Sequence, residues 1–129
     1  MNYLYSKNGE PLIQPMYYSN PEEKGAYEVR NQYYFGSELI CAPVTKPENL
    51  QLKRSEVTVW LPNGSFTDVF TGITYTGGRK LTLYRSINNI PVLLKTGGIV
   101  PLAGAEELEN HNRLPESLDI YCAYGDGDF

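Results

Sequence analysis

The sequence predicts a mainly β fold, an antiparallel β-sandwich that follows a short α/β segment. Seven apolar segments after Ser37 recur at a spacing of roughly ten residues with turn residues between them, which is typical of sandwiches and barrels. Two of them, "EVTVWL" and "KLTLYR", alternate apolar and polar residues as half-buried strands do. Twelve glycines and nine prolines in 129 residues further favour short strands over long helices.

The predicted strands define the sandwich as residues 37–129. Asn63 and Gly64, in "LPNG", predict a hairpin turn between the second strand and the third. In chain order the seven segments are "ELICAPV", "EVTVWL", "SFTDVF", "KLTLYR", "PVLLKT", "GIVPL" and "LDIYCAY".

Residues 1–36 have a different character. The stretch "NYLYSKNG" is typical of the end of a helix, with Asn8 and Gly9 as a left-handed cap. The uniformly apolar run "PLIQPMYY" predicts a strand that is buried on both faces, as strands of parallel sheets are. A helix end and a buried strand together indicate part of an α/β unit.

One or two short helical pieces are predicted after this strand. Asn20 is expected to cap their N terminus, with Pro21 at the first helical position and Glu22 and Glu23 in the first turn. Helix is thereby confined mostly to the first forty residues.

Charge and hydropathy exclude two classes of partner. The formal net charge of −4 argues against a nucleic-acid partner, because phosphate binding requires clustered lysine and arginine. No apolar run approaches the roughly 18 residues of a membrane-spanning helix, so no membrane partner is expected. The first residues, "MNYLYSKNG", have neither the basic nor the apolar region of a signal peptide, and we expect a cytoplasmic location.

The cysteines, the single histidine and the last acidic residues do not form a metal-binding pattern. Cys41 and Cys122 lie in apolar runs and are expected to be buried free thiols. His111 lies in a polar loop with no other Cys or His nearby in sequence. "GDGD", over 125–128, lacks the alternate ligands and the distal Glu of a calcium loop. We therefore expect neither a metal nor a cofactor.

The acidic residues offer no catalytic pair. A retaining glycosidase needs two carboxyls about 5–5.5 Å apart, in environments that separate their pKa values. Glu106, Glu107 and Glu109 cluster in a polar loop where all three would be solvated, and Asp68 stands alone in a predicted strand. No catalytic residue is expected in this chain.

Aromatic residues surround Asp68 in the stretch "VWLPNGSFTDVFTG", which contains Trp60, Phe66 and Phe70. Aromatic rings beside a carboxylate hold sugars in some proteins, and in others they fill the core of a small β-domain. The residues alone leave both interpretations open.

The order of seven motifs resembles glycoside hydrolase family 31, which contains α-glucosidases, α-xylosidases and related transglycosidases. The resemblance covers nearly the whole chain, although "SFTD" replaces the more usual Trp-Tyr-Asp of the family. The motifs are "YLYS", "PLIQPMYY" with "PEE", "NQYYFGSELICAPV", "VTVWLPNGSFTDVFTG", "GGR", "IPVLLKTGGIVPL" and "YGDGDF".

This resemblance implies that residues 1–36 are the end of a catalytic (β/α)₈ barrel and that residues 37–129 are the proximal C-terminal β-sandwich, which packs against that barrel. It implies a parent enzyme that is a retaining α-glycosidase acting on α-linked oligosaccharides, an α-glucosidase first, with an α-xylosidase or a transglycosidase as alternatives. It also favours core packing over sugar stacking for Trp60, Phe66 and Phe70.

The resemblance further implies that the chain by itself is an inactive structural domain, because the family's two catalytic aspartates come from earlier barrel strands that have no counterpart here. A carbohydrate-binding module is the alternative from another class of protein.

A barrel strand without its neighbours would leave apolar surface exposed. The apolar residues expected to be exposed are Leu12, Ile13, Met16, Tyr17 and Tyr18. We therefore expect non-physiological self-association, or irregular folding of residues 1–36 against the sandwich.

Overall fold

The computed structural model describes residues 2–104 and 117–125. This part of the chain holds three helices, all before residue 29, and ten strands. The helices are α1 (Asn2–Asn8), α2 (Met16–Ser19) and α3 (Lys24–Glu28). The strands are β1 (Ile13–Pro15), β2 (Tyr33–Phe35), β3 (Leu39–Cys41), β4 (Ser55–Leu61), β5 (Ser65–Asp68), β6 (Thr74–Thr76), β7 (Arg79–Arg85), β8 (Val92–Lys95), β9 (Ile99–Ala103) and β10 (Leu118–Cys122). None of these helices is long and apolar enough to cross a membrane.

Every strand pair in the described residues is antiparallel, and the strands form three sheets. The largest sheet has the order β1-β2-β3-β8-β5-β6, while β4 pairs with β7 and β9 pairs with β10. All seven predicted strands are present, so the predicted fold class, a mainly β protein with an antiparallel sandwich, is confirmed.

The main hydrophobic core joins the six-stranded sheet, the β4–β7 sheet and the helical segment. Successive strand residues point to opposite faces, so Ile40 and Leu93 belong to this core while their neighbours Leu39 and Leu94 belong to another. Its buried members are Met16, Ala26, Val29, Ile40, Ala42, Val57, Val59, Trp60, Leu61, Phe66, Leu83 and Leu93.

A smaller core lies on the other face of the six-stranded sheet. Leu39 and Leu94 contact Val100 of β9 and Ala123, which follows β10. Most of the β9–β10 sheet is otherwise exposed, and no residue of β10 is buried. This sheet is therefore attached to the remainder of the described chain over a short stretch only.

The predicted buried strand over residues 11–18 is wrong. Only Ile13–Pro15 form a strand, β1, which lies at the edge of the six-stranded sheet and pairs antiparallel with β2. The chain enters α2 at Met16, directly after Pro15. Because Pro15 has no N–H to donate, it suits an edge strand and cannot pair on both sides.

The prediction of exposed apolar residues in this segment is partly correct. Ile13, Tyr17 and Tyr18 are exposed, and Leu12 is half-buried. Met16 is only 1% exposed, because α2 turns its side chain into the main core. Self-association stays a prediction.

Asn20 is not a helix N-cap. It follows α2, and its side-chain amide donates hydrogen bonds to the Met16 carbonyl (3.1 Å) and the Tyr34 hydroxyl (2.8 Å). The next helix, α3, begins at Lys24. Since the Asn20 side chain already connects α2 to β2, it is not available to cap α3.

The predicted hairpin across "LPNG" is also wrong, because its flanking strands belong to different sheets. β4 pairs over its whole length with β7, while β5 pairs with β6 and β8. The turn therefore carries the chain from one sheet to the other, and the β6–β7 connection carries it back. The two connections touch where the Gly77 N–H donates to the Gly64 carbonyl (2.7 Å). A Cβ on Gly77 would lie 1.8 Å from the Pro62 carbonyl oxygen, so only glycine fits.

Two strands, β2 and β6, are not predicted by the sequence. β2 pairs with β3, so the six-stranded sheet includes residues on both sides of Ser37. The boundary near Ser37 between a barrel remnant and a sandwich stays a prediction. The predicted helix end is confirmed, since α1 ends at Asn8 and Gly9 follows with a φ of 71°.

Candidate functional site

The aromatic cluster around Asp68 does not form one surface. Trp60 and Phe66 are buried members of the main core, as the core interpretation predicts. Phe70 is exposed, so that interpretation does not extend to it. A sugar could not reach the Trp60 ring without unfolding the segment that covers it.

Helix α3 packs directly on the Trp60 ring. A Cβ placed on Gly25 would lie 2.2 Å from Cδ1 of Trp60, well inside contact distance. The next residue, Ala26, is buried in the same core. The indole therefore lies between the β4–β7 sheet and a helix whose closest residue must be small.

Gln32 fixes the backbone of Trp60 from the same side. Its side-chain Nε2 donates to the Trp60 carbonyl (2.8 Å), and its Oε1 accepts from the Trp60 N–H (2.7 Å). A primary amide carries a donor and an acceptor, as a peptide group does. The Gln32 side chain thus makes the two hydrogen bonds to Trp60 that a residue of a neighbouring strand would make, and both bonds are buried.

Asp68 is not alone, contrary to prediction. Its Oδ2 accepts a hydrogen bond from Nη2 of Arg85, and the two side chains form a buried ion pair. Its Oδ1 accepts from the N–H groups of Phe70 (3.0 Å) and Thr71 (3.3 Å). Burial lowers the pKa of Arg85. The two Oδ1 bonds shape the turn after β5, whereas the Arg85 pair connects β5 to β7. Both carboxylate oxygens of Asp68 are thus engaged in structural contacts.

The two cysteines differ. Cys41 is a buried free thiol, as predicted, and burial raises its pKa. The pKa of Tyr33, its partner in the β2–β3 register, is raised first by burial and second by Cys41. Cys122 is free, as predicted, but its predicted burial is wrong: it is exposed, because β10 has no layer covering it in the described residues. A thiol with a raised pKa is a poor nucleophile, so Cys41 does not suggest covalent catalysis.

An ion-pair group on the surface connects α3 to β7. Glu28 contacts Lys80 of β7 and, at 3.3 Å, Lys24 of its own helix. Hydrogen bonds from Lys80 first and Lys24 second lower the pKa of Glu28. We call the contact between the segment over residues 16–32 and the β4–β7 sheet the junction. The ion pairs of Glu28 lie on its surface, whereas the hydrogen bonds between Gln32 and Trp60 lie in its interior.

Two carboxylates line a common groove. The groove has a volume of about 540 Å³, and its wall includes Glu10, Glu38, Tyr34 and Asn20. Glu10 is exposed and Glu38 is half-buried. They are therefore the two carboxylates to substitute if this chain shows any glycosidase activity.

Several predicted residues lie outside the part of the chain that the structure describes. They are Glu106, Glu107, Glu109, His111 and the "GDGD" residues from 126 onward. Within residues 2–104 and 117–125, no group of three or more His, Cys, Asp or Glu side chains is placed to hold a metal ion.

The sequence gives no signal for the residues that hold the junction together. Gln32 and Gly25 lie in a polar stretch that reads as helix and loop. Arg85 is the last residue of an alternating strand and lies on its buried face. That position is the one feature of the sequence that could have predicted its ion pair with Asp68.

Comparisons with known proteins agree with the fold. Residues 9–100 match the family model of the glycosyl hydrolase family 31 C-terminal domain. A probable alpha/beta-glucosidase of Aspergillus clavatus is 31% identical over 133 aligned residues, which cover 97% of this chain and 14% of that protein. An isomaltosyltransferase of Sporosarcina globispora is 29% identical, over 92% of this chain and 11% of its own length.

Solved structures are similar as well. A family 31 dextranase of Flavobacterium johnsoniae, complexed with isomaltotriose, superposes with a TM-score of 0.66 at 28% identity, over 77% of this chain and 12% of its own. A cycloalternan-forming enzyme of Listeria monocytogenes, in complex with a pentasaccharide substrate, gives 0.65 at 30% identity, over 75% of this chain and 9% of its own. The chain thus spans a small part of each relative, and by sequence and fold alike it belongs to the C-terminal domain of glycosyl hydrolase family 31.

Proposed function

We propose that this domain is the non-catalytic sandwich of a retaining α-glycosidase, an α-glucosidase in the first instance, that acts on α-linked oligosaccharides. The match of residues 9–100 to the family's C-terminal domain carries the proposal. Relatives named as glucosidases in Aspergillus clavatus and Saccharolobus solfataricus support the choice of activity. The proposed oligosaccharide substrate is bound by the parent enzyme.

A transglycosidase is the second candidate for the parent. The isomaltosyltransferase and the cycloalternan-forming enzyme, similar to this chain at 29% and 30% identity, support it. An α-xylosidase stays a prediction from the family resemblance.

The proposed role of the domain is to brace the catalytic barrel. The β9–β10 sheet supports this role, because it presents apolar side chains that nothing in the described chain covers: Ile99, Leu102, Leu118, Ile120 and Tyr121. Burying apolar surface is favourable by about 25 cal/mol per Å². Packing of the barrel on this sheet would supply that burial.

A binding module that uses Trp60 loses its support, because the indole is buried under α3. A cytoplasmic location is part of the proposal. The two free thiols, Cys41 and Cys122, suit a reducing compartment.

The proposal is tested by assaying this chain and the longer parent protein on p-nitrophenyl α-glucoside and p-nitrophenyl α-xyloside. We expect turnover by the parent, with the α-anomer as the first product, and no turnover by the chain. Turnover by the chain that Glu10→Gln or Glu38→Gln abolishes would overturn the non-catalytic assignment, since those carboxylates share a groove.

A further inference from the structure

The turn between β4 and β5 contains an asparagine that is followed by a glycine. Asn63 and Gly64 carry the chain from the β4–β7 sheet to the six-stranded sheet. Within the described residues, neither the Asn63 carboxamide nor the Gly64 N–H has a recorded hydrogen-bond partner. Both groups are therefore available to react with each other.

An asparagine side chain can react with the backbone nitrogen of the next residue, which makes asparagine a thermolabile residue. The Gly64 nitrogen attacks Cγ of Asn63, and the side-chain nitrogen leaves as ammonia together with the proton that the attacking nitrogen loses. A succinimide ring results, and water then opens it. Opening at Cγ gives aspartate, whereas opening at the main-chain carbonyl carbon gives isoaspartate, whose backbone runs through Cγ.

Gly64 favours this attack because it has no side chain to crowd the approach of its nitrogen. Its φ of 124° is also one that side chains rarely adopt. Water is the only other reactant, and both residues are exposed in the 129-residue chain. The reaction therefore needs no ligand surface, and the inference does not depend on the proposed function.

Hydrogen bonds on both sides of the pair oppose ring closure. The Gly78 N–H donates to the Pro62 carbonyl (2.9 Å), which precedes the pair. The Gly77 N–H donates to the Gly64 carbonyl (2.7 Å), which follows it. The Gly64 nitrogen can reach Cγ of Asn63 only if the peptide between the two residues rotates, so one of these restraints must open first. Breaking the bond between Gly77 and Gly64 frees the reacting glycine directly.

We propose that Asn63 is a site of spontaneous covalent modification through a succinimide, and that the Gly77–Gly64 hydrogen bond sets its rate. Conversion places a carboxylate in the wall of the groove that also contains Glu10 and Glu38. It makes the net charge of the chain one unit more negative than −4. The isoaspartate product also inserts the Cβ carbon into the main chain where the two connections touch, so the modified domain loses this contact between its sheets.

Asn8 and Gly9 form the other Asn-Gly pair in the sequence and provide a comparison within the same chain. Asn8 is the last residue of α1, and Gly9 has no packing partner within 4 Å of its Cβ position. Since this pair is remote in sequence from the two connections and makes no recorded contact with them, its conversion should not depend on the Gly77–Gly64 bond.

The test is peptide mapping by mass spectrometry of the 129-residue chain after incubation in mildly alkaline buffer, with fragmentation that distinguishes isoaspartate from aspartate. Gly77→Ala weakens the restraint, because its Cβ would clash with the Pro62 carbonyl oxygen. Asn63→Gln is the matched control, since it keeps an amide but lengthens the side chain so that a succinimide cannot form. Circular dichroism checks that both variants fold.

We expect isoaspartate and aspartate together at residue 63 in the wild-type chain, and neither in Asn63→Gln. Gly77→Ala should form them about tenfold faster, as for an opening that is easier by roughly 1.4 kcal/mol, with an unchanged rate at Asn8. Where Gly77→Ala lacks the native circular dichroism spectrum, the wild-type chain with and without urea gives the same comparison. Unfolding should then accelerate Asn63 more than Asn8.

Three results would overturn the proposal. The first is aspartate at residue 63 without isoaspartate. The second is an absence of conversion at Asn63 over a period in which the urea-unfolded chain converts. The third is equal acceleration of Asn63 and Asn8, by Gly77→Ala where that variant folds or by urea where it does not.

Discussion

Two regions differ from their predictions in opposite ways. The segment from residue 16 to residue 32 contributes more to the main core than its sequence predicts, and the β9–β10 sheet is less buried than its sequence predicts. The segment reads as part of another unit, yet Met16, Ala26 and Val29 lie in the main core and Gln32 completes the hydrogen bonding of β4. The β9–β10 sheet reads as part of the sandwich, yet it is attached mainly through Val100.

The difference shows what an apolar pattern does and does not specify. Alternation indicates that a strand has a face to bury, but it does not say what buries it. In β4 the cover is a helix and an amide from a polar stretch of sequence. In β10 no cover is present in the described residues, and we propose that the barrel supplies it.

Among the substitutions that test this comparison, we expect Gln32→Leu to have the largest effect on stability. The substitution leaves the Trp60 N–H and carbonyl buried without partners, and we expect a loss of about 2 kcal/mol in the free energy of unfolding. Urea denaturation monitored by Trp60 fluorescence measures it.

The matched control for that variant is Gln14→Leu, because the Gln14 side chain makes one exposed hydrogen bond to the Pro11 carbonyl. We expect a change within about 0.5 kcal/mol, as for most surface substitutions. Equal losses in both variants would mean that the buried pairing of Gln32 does not hold the segment to β4.

A smaller effect is expected at the outer side of the same junction. Lys80 and Lys24 lower the pKa of Glu28, so its ion pairs stabilise the folded state at neutral pH. That contribution is lost as the pH falls through the lowered pKa, below the ordinary value of 4.5. Glu28→Gln should therefore be less stable than the wild type at pH 7, and the two should converge in acid.

Thermal unfolding at a series of pH values checks this prediction. Glu22→Gln is the control, since Glu22 has no ion pair recorded in the described part of the chain. The difference at pH 7 should also shrink in high salt, because the pair is exposed. A difference between wild type and Glu28→Gln that is the same in acid as at pH 7 would contradict the assignment.

Much of the fold follows from the sequence because strands after Ser37 carry local signals. The alternation in β4 and β7 predicts both strands, and the turn residues that flank each strand indicate its approximate bounds. The expectation that this chain contains no catalytic residue stays a prediction.

The remaining features depend on contacts distant in sequence. The local sequence of residues 61–64 predicts a turn. Only the pairing of β4 with β7, which are distant in sequence, determines that this turn joins two different sheets. Asparagine is a common N-cap residue, but the Asn20 side chain donates to the Tyr34 hydroxyl and does not cap a helix. Arg85 becomes the partner of Asp68 only when β5 and β7 are stacked.

Native-state hydrogen exchange on the 129-residue chain tests the central contrast most directly. If the segment from residue 16 to residue 32 belongs to the core, the Trp60 amide, which donates to Gln32, should exchange only through global unfolding, as the amides of β8 do. The amides of β10 should exchange at least about a hundredfold faster through local opening. A Trp60 amide that exchanges as fast as those of β10 would contradict the account.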